Sequence, residues 1–556
     1  MEADRVNKKL PKLTIVIMAA AVAVMWLVDA AITRPGFDHL GGMSDLVNIR
    51  LYMQKLEEPG LYPRDYLYAS TDVARQYTPS YRYLLSALSQ LTGNMGNALA
   101  VLTPILAFVY MLTMTLFLRN FTSSRLNAVL LAAVSTVPHY SPGGDFWGTG
   151  GLYSALPRTI FATVTPLLLL VHLRFSSTMK GCALSLALAG AAANLHPISG
   201  AILAEILLFE RFMATLRRRF PFKGLILGAA CFLICALPFM LGFFGIMGRH
   251  NAPGMVADPS TFYAAVWIRF SHMLLPPGKD TVWPFVEAFL PLLPFAALGA
   301  FSVRQEHKEK IHGLLRLLGS LLIVVLGGLL ALQWLAQTTG WSFMLVDQMR
   351  GLRLAYPMAF ALAASGLQEI CRRLPRWLAV LAAFAVALWL LPVLALPSLK
   401  INPGHVPRPV KYGYWYLTGR ANLARMDIQD AAGKPRAVDI KEAAKWAGEN
   451  TPLQALFLCE DARFRLFSRR SAAYAFKDGG TAYYLGKGTF MEWARREAAV
   501  RVARQSREAG TWIDLASRLG CDYVVIDKET IEAAPLAGAV YQNSTFAIVP
   551  VKPPQP

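Results

Sequence analysis

Charge is scarce in this chain: 16% of its 556 residues are Asp, Glu, Lys or Arg, while 55% are hydrophobic. A soluble domain is about one-quarter charged, so a string of ordinary water-soluble domains is excluded. Cysteine is scarce too. The six residues Cys182, Cys231, Cys235, Cys371, Cys459 and Cys521 are scattered, and no CxxC pair occurs, which removes a zinc ribbon. Cys459 and Cys521 share the C-terminal region, where one bridge or two free thiols both fit. No glycine-rich phosphate loop opens a helix there, so that region is not read as a nucleotide-binding domain. No internal repeat stands out. Acidic residues are outnumbered, 35 against 55 basic, for a formal charge of +20. The basic residues sit mostly in short connections between apolar blocks, which excludes a nucleic-acid-binding surface as their explanation.

What the chain has in abundance is long apolar runs. Eleven blocks read as spans of about 30 Å of hydrocarbon, at 13–32, 96–118, 126–137, 156–173, 183–195, 198–212, 224–246, 284–303, 314–335, 343–367 and 377–396. The first is followed by Thr33, Arg34 and Pro35 and then by further spans, so it reads as a retained anchor rather than a cleaved signal. Alternate connections carry the cations: Arg5 to Lys12, Arg119 and Arg125, Arg174 and Lys180, Arg211 to Lys223, Arg304 to Arg316, and Arg372 to Arg376. With eleven spans and a cytoplasmic N-terminus, all of these face the cytoplasm, and the C-terminal region lies outside an inner membrane.

The expected fold class is a polytopic α-helical membrane protein of about eleven spans with an extracytoplasmic α/β domain. Residues 1–396 form the membrane domain, 397–437 a linker and 438–556 the soluble domain. In the last, 440–449 and 512–519 have helical spacing, while 455–459, 464–467, 472–476, 522–526 and 545–551 read as strands. The outward loops 33–93, 138–155 and 249–283 are long, aromatic and rich in glycine or proline, which points any chemistry outward.

Asp45 follows the first span after Asp38 and precedes an expected helix at 46–57. It reads either as a helix cap or as a general base, or metal-associated carboxylate, taking a proton from an acceptor hydroxyl. His196 lies in a His-Pro turn between two spans, and Arg158 at another outer end. Arg269 and His272 are three apart, as are Arg350 and Arg353. The last two, with Asp347, fall beside an apolar stretch where a charge costs at least ~2.5–3.5 kcal/mol. Either they pair internally with Asp347, or the cations converge on a phosphate, which arginine grips bidentately. The glycine-rich loop after Pro138 adds His139 and Asp145, with Tyr140 and Trp147 that stack on sugar faces or belong to an interfacial belt.

In this arrangement, and in the tail segments Lys445-Trp446, Thr451-Pro452, Ala455 to Leu458 and Leu515 to Asp527, the chain resembles the GT-C superfamily of membrane glycosyltransferases. The resemblance implies inverting transfer of a sugar from a polyprenyl-phosphate-linked donor to a lipid, glycan or protein acceptor on the outer face. It makes Asp45 the position matching the family's first-loop acid, a catalytic base or a partner of Mg or Mn. Many members carry an acidic pair or Asp-x-Asp there, whereas Asp38 and Asp45 are seven apart, so the metal is left open. A transporter or flippase of lipid-linked saccharide, and a non-catalytic glycan-assembly partner, are the alternatives.

Overall fold

The computed structural model describes residues 12–40, 45–137, 139–141, 145–149, 155–250, 258–270, 289–301, 305–339, 345–390, 409–410, 435–531 and 538–551. The chain divides into two compact units. One comprises Met1–Ala31, Asn97–Phe239 and Phe270–Ala424, the other Ile32–Gly96, Met240–Arg269 and Arg425–Pro556.

Among the described residues, five helices are long and apolar enough to cross a membrane: Leu13–Ile32, Met95–Leu118, Pro157–Phe175, Phe222–His250 and Lys308–Thr339. By length and composition the chain is a multi-pass membrane protein. Leu13, Ile226, Ile234 and Leu330 are exposed on these helices, as lipid-facing side chains are. The expectation of eleven spans meets shorter elements. Blocks 126–137 and 183–195 form the helices Arg125–Val134 and Met179–Ala193, of 10 and 15 residues. At 1.5 Å per residue the first reaches about half the hydrocarbon thickness. Block 343–367 begins as a tight 3-10 segment, Leu345–Leu354, and becomes α-helix only over Ala355–Arg372. Of block 284–303, the helix Leu293–Phe301 is described.

Packing in the first unit depends on small residues where backbones cross. A Cβ on Gly366 would lie 2.0 Å from the Phe295 carbonyl oxygen, and one on Gly299 would lie 2.0 Å from that of Leu362. Close crossings of this kind hold apolar helices together where lipid removes the hydrophobic drive. Gly366→Leu is therefore expected to cost at least about 1–3 kcal/mol, read as a lower melting temperature of the purified protein in detergent.

A second device repairs a break. The helix Phe222–His250 contains Pro238, and there the Asn194 side chain donates to the Cys235 carbonyl at 2.8 Å and accepts the Phe239 N–H at 3.0 Å. It thus bridges an i to i+4 pair of the helix ladder at the proline. Elsewhere in this unit, buried Glu210 gathers His172 at 3.4 Å, Arg211 at 2.6 Å and Arg316 at 3.2 Å. Two of the cations read as loop charges are thereby structural, clamping three helices.

The second unit holds a five-stranded mixed sheet. After the short antiparallel strands β1 (His139–Ser141) and β2 (Asp145–Trp147) of the first unit, the sheet strands are β3 (Leu456–Leu458), β4 (Ser471–Ala472), β5 (Tyr523–Asp527), β6 (Tyr541–Gln542) and β7 (Phe546–Pro550). Their order is β4-β3-β5-β7-β6, with β3 parallel to both neighbours and β7 antiparallel to both of its own. Every residue of β3 is buried, as a central parallel strand requires. The helix Pro435–Asn450 packs Ile440, Ala443, Ala444 and Ala447 into a core with Phe457, Phe464 and Ile548. Two strand expectations need correction. Residues 464–467 belong to a helix, Ala462–Ser468, started by Asp461, whose carboxylate accepts the Arg463 N–H; from 472–476 only Ala472 is in a strand. All six cysteines are free thiols, so Cys459 and Cys521 are not bridged.

Candidate functional site

Asp45 directly precedes the helix Leu46–Glu57, as expected, but it does not cap it with its side chain. Its backbone is helical, at φ −58° and ψ −12°, its carbonyl accepts the Ile49 N–H, and its carboxylate makes no capping hydrogen bond. A side-chain cap normally needs an extended backbone at that residue. Instead Oδ1 of Asp45 lies 3.5 Å from Nζ of Lys477, and both groups are partly open to solvent.

The helix places that contact. Asp45, Asn48 and Tyr52 are spaced by three and four, so they share one face. Lys477 and Thr481 are likewise four apart, across the start of the helix Asp478–Leu485. Asn48 Nδ2 donates to Thr481 Oγ1 at 3.3 Å, and the Tyr52 hydroxyl meets the same oxygen at 2.6 Å. Burial raises the Tyr52 phenol well above its usual range, the Thr481 bond opposes this, and Asp45 and Asp478 add to the rise, so Tyr52 is neutral.

A buried ion triad fixes the same two segments. Arg465 donates to Asp65 at 2.7 Å and to both oxygens of Asp478 at 2.8 and 2.9 Å, with all three side chains buried. The Asp65 carboxylate also accepts the N–H groups of Leu67, Tyr68 and Ala472. Asp478 accepts from Tyr66 and from the Ala475 N–H, and the Tyr68 ring lies 4.7 Å from the Arg465 guanidinium. Nearly every lone pair is satisfied, which a buried charge requires. Burial pushes the Asp478 carboxyl up, Arg465 opposes this, and Asp65 adds to it.

Arg269 joins this end of the unit. Its guanidinium lies 5.1 Å from the ring centroid of Phe476, the residue before Lys477. A Cβ on Gly480 would come within 3.3 Å of Arg269 Nη2, so glycine keeps the approach open. Farther along, Asp72 accepts from Arg249 at 3.0 Å and His250 at 3.4 Å. Burial acts to raise the Asp72 carboxyl, but these two partners hold it below its usual value.

In the other unit, His196 precedes the helix Pro197–Leu216 and Nδ1 accepts from the Ser199 N–H at 3.3 Å. The ring nitrogen lies 2.7 Å from Ser199 Oγ, and that oxygen accepts a hydrogen bond from the buried Arg353. His196 and Arg353 are thus joined through one hydroxyl. Arg350 lies three residues before Arg353 in the 3-10 segment, where that spacing stacks side chains on one face. Arg158 occupies the first turn of the helix Pro157–Phe175.

His139 and Asp145 open the paired strands β1 and β2, and Asp38 lies in the helix Lys12–Leu40, but their side chains, those of Asp347 and the whole of His272 lie outside the described residues. Among the described residues no three His, Cys, Asp or Glu side chains gather to hold a metal ion. Lys477 is the cation placed beside Asp45. No step is assigned to a metal.

Lys477, Thr481 and the triad escape local sequence reading because their partners lie far away, at separations of 433 for Asn48 and Thr481 and 400 for Asp65 and Arg465. The stripe Asp45, Asn48, Tyr52 was the available signal: three polar groups on one helix face call for polar partners.

No family model and no curated protein matches the chain. Among solved structures it is similar to ArnT from Cupriavidus metallidurans bound to undecaprenyl phosphate, at 13% identity and a TM-score of 0.47, over 97% of this chain and 98% of that one. The apo state of the same protein is similar at 13% identity and a TM-score of 0.42, over 97% of each chain.

Proposed function

We propose that this protein is a membrane glycosyltransferase that moves a sugar from a polyprenyl-phosphate-linked donor to a lipid, glycan or protein acceptor outside the cytoplasmic membrane. The observation that carries the reading is Asp45: an acid after the first span that makes no side-chain cap, held beside Lys477 at the start of a helix that Asn48 and Tyr52 tie to Thr481. In this reading Asp45 takes the proton from the acceptor hydroxyl as that oxygen attacks the sugar's anomeric carbon. The bond from that carbon to the phosphate oxygen breaks, and the lipid phosphate leaves with its electron pair. Lys477 stands beside Asp45 as its counter-charge. Arginine is suited to the leaving phosphate, and Arg269, Arg350, Arg353 and Arg158, with His196 and His272, are the candidates. Inverting stereochemistry follows from direct attack. The N-terminus is cytoplasmic and the α/β domain extracytoplasmic in this scheme. Export of lipid-linked saccharide by a transporter is the second reading, and nothing in the geometry of Asp45 requires it.

The test is donor-lipid binding. Undecaprenyl phosphate, the lipid in the ArnT structure, is a suitable probe. Arg269→Ala and Arg353→Ala are each expected to weaken its binding to the purified protein by about tenfold to a hundredfold, the value of one charge-assisted hydrogen bond. If both variants fold and bind as the wild type does, these arginines do not hold the phosphate.

A further inference from the structure

The helix that begins after Asp45 borders a second feature at its other end. A pocket of about 560 Å³ is lined by Arg50, Gln54, Glu57, Gln90, Asn94 and Arg469, among others. That volume lies within the range of small-molecule sites, about 300–1,000 Å³. Its lining is unlike the apolar wall usual for such sites, because amides, guanidinium groups and a carboxylate supply donors and acceptors together.

The charges balance. Arg469 is paired with Glu58, next to the lining Glu57, and the Arg50 guanidinium stands 5.7 Å from the Phe467 ring. Arg469 is neutralised by Glu58 just outside the wall, so the remaining lining charges are one cation, Arg50, and one carboxylate, Glu57. A phosphate site needs cations in excess, and a lipid tail needs an apolar wall. A neutral polyol needs neither: its hydroxyls each donate and accept, and an amide or a carboxylate beside a guanidinium answers both. The helix residues that line the pocket, Arg50 to Glu57, lie five to twelve positions beyond Asp45, about 8–18 Å along the axis. A ligand reaching both is an extended one.

We propose that this pocket is a subsite for a neutral saccharide, and that it holds the acceptor glycan of the transfer proposed above, on which reading the second half rests. The donor's own sugar shares this chemistry and is the competing source.

The test uses the full chain in lipid nanodiscs and, as probe, a panel of neutral hexose and N-acetylhexosamine oligosaccharides. Glu57, Gln90 and Asn94 are exposed, so Gln90→Leu and Asn94→Leu leave the packed core intact. The wild type and Asp45→Asn are expected to capture at least one neutral oligosaccharide. Each pocket variant is expected to lose roughly tenfold in that affinity, the value of one lost hydrogen bond, with undecaprenyl phosphate binding unchanged. Equal capture by the pocket variants, no capture of any neutral glycan, or displacement by excess inorganic phosphate overturns the saccharide site. Displacement by a polyprenyl-phosphate hexose overturns its assignment to the acceptor. Failure of the transferase reading looks different: donor lipid stays intact while glycan capture and its loss in the variants persist.

Discussion

Asp45→Asn is expected to lower sugar transfer by about 10²–10⁴-fold, the usual contribution of a general base, with the protein still folded. The substitution removes the proton-accepting charge and keeps the shape. It separates the chemical role from two structural ones. Asn caps a helix about as well as Asp, and Asp45 makes no side-chain cap here in any case. The contact with Lys477 is 3.5 Å long, with the two side chains 50% and 34% exposed, and pairs so placed contribute about 0–1 kcal/mol. A melting temperature near the wild type's, together with nearly abolished transfer, is the expected pair of readings. Wild-type transfer by Asp45→Asn would end the assignment and turn attention to Asp38 and Asp145.

Arg465→Met is expected to have the largest effect on stability. It leaves Asp65 and Asp478 buried with no cation between them, and removing one partner of a buried ion pair costs about 3–5 kcal/mol. The segment after the first span and the α/β domain share this triad, so both should loosen, seen as faster limited proteolysis. The pH dependence has a definite sign. The Asp478 carboxyl is already raised by burial, and losing Arg465 removes the influence that opposes the rise. A carboxyl whose folded value lies above its unfolded one binds its proton more tightly in the folded state. Stability is then greatest below the unfolded value and falls as pH climbs toward the folded one. The variant's deficit should accordingly shrink on acidification below the ordinary carboxylate range and grow toward neutral pH.

The membrane class was legible from apolar run length, and the helix after Asp45 from its polar start and mixed face. The number of full crossings was not, because a run of apolar residues does not say whether it is one long helix or a 3-10 segment leading into a shorter one, as at Leu345–Leu354 and Ala355–Arg372. In the tail, Phe464 and Phe467 fit a buried strand or a helical i, i+3 pair, and the Asp461 cap decided for the helix. The helix Lys487–Ser506 buries Phe490, Trp493, Val500 and Ala503 along one face, a stripe interrupted by the buried Glu497, and adds i, i+4 pairs such as Glu492 with Arg496 and Glu497 with Arg501. At the site, sequence singled out the acid but not its cation, since the pairing of Asp45 with Lys477 exists only after the first loop has folded onto the tail.

The most direct test of the central claim follows both halves of the donor at once. The purified protein is placed in sealed proteoliposomes with a polyprenyl phosphate carrying a labelled sugar, and a lipid-linked or glycan acceptor is supplied. Label is expected to leave the polyprenyl carrier and appear on the acceptor, and Asp45→Asn to stop this. Label that crosses the bilayer while still attached to its carrier, with no sugar released or transferred, would contradict the claim and make the protein a transporter.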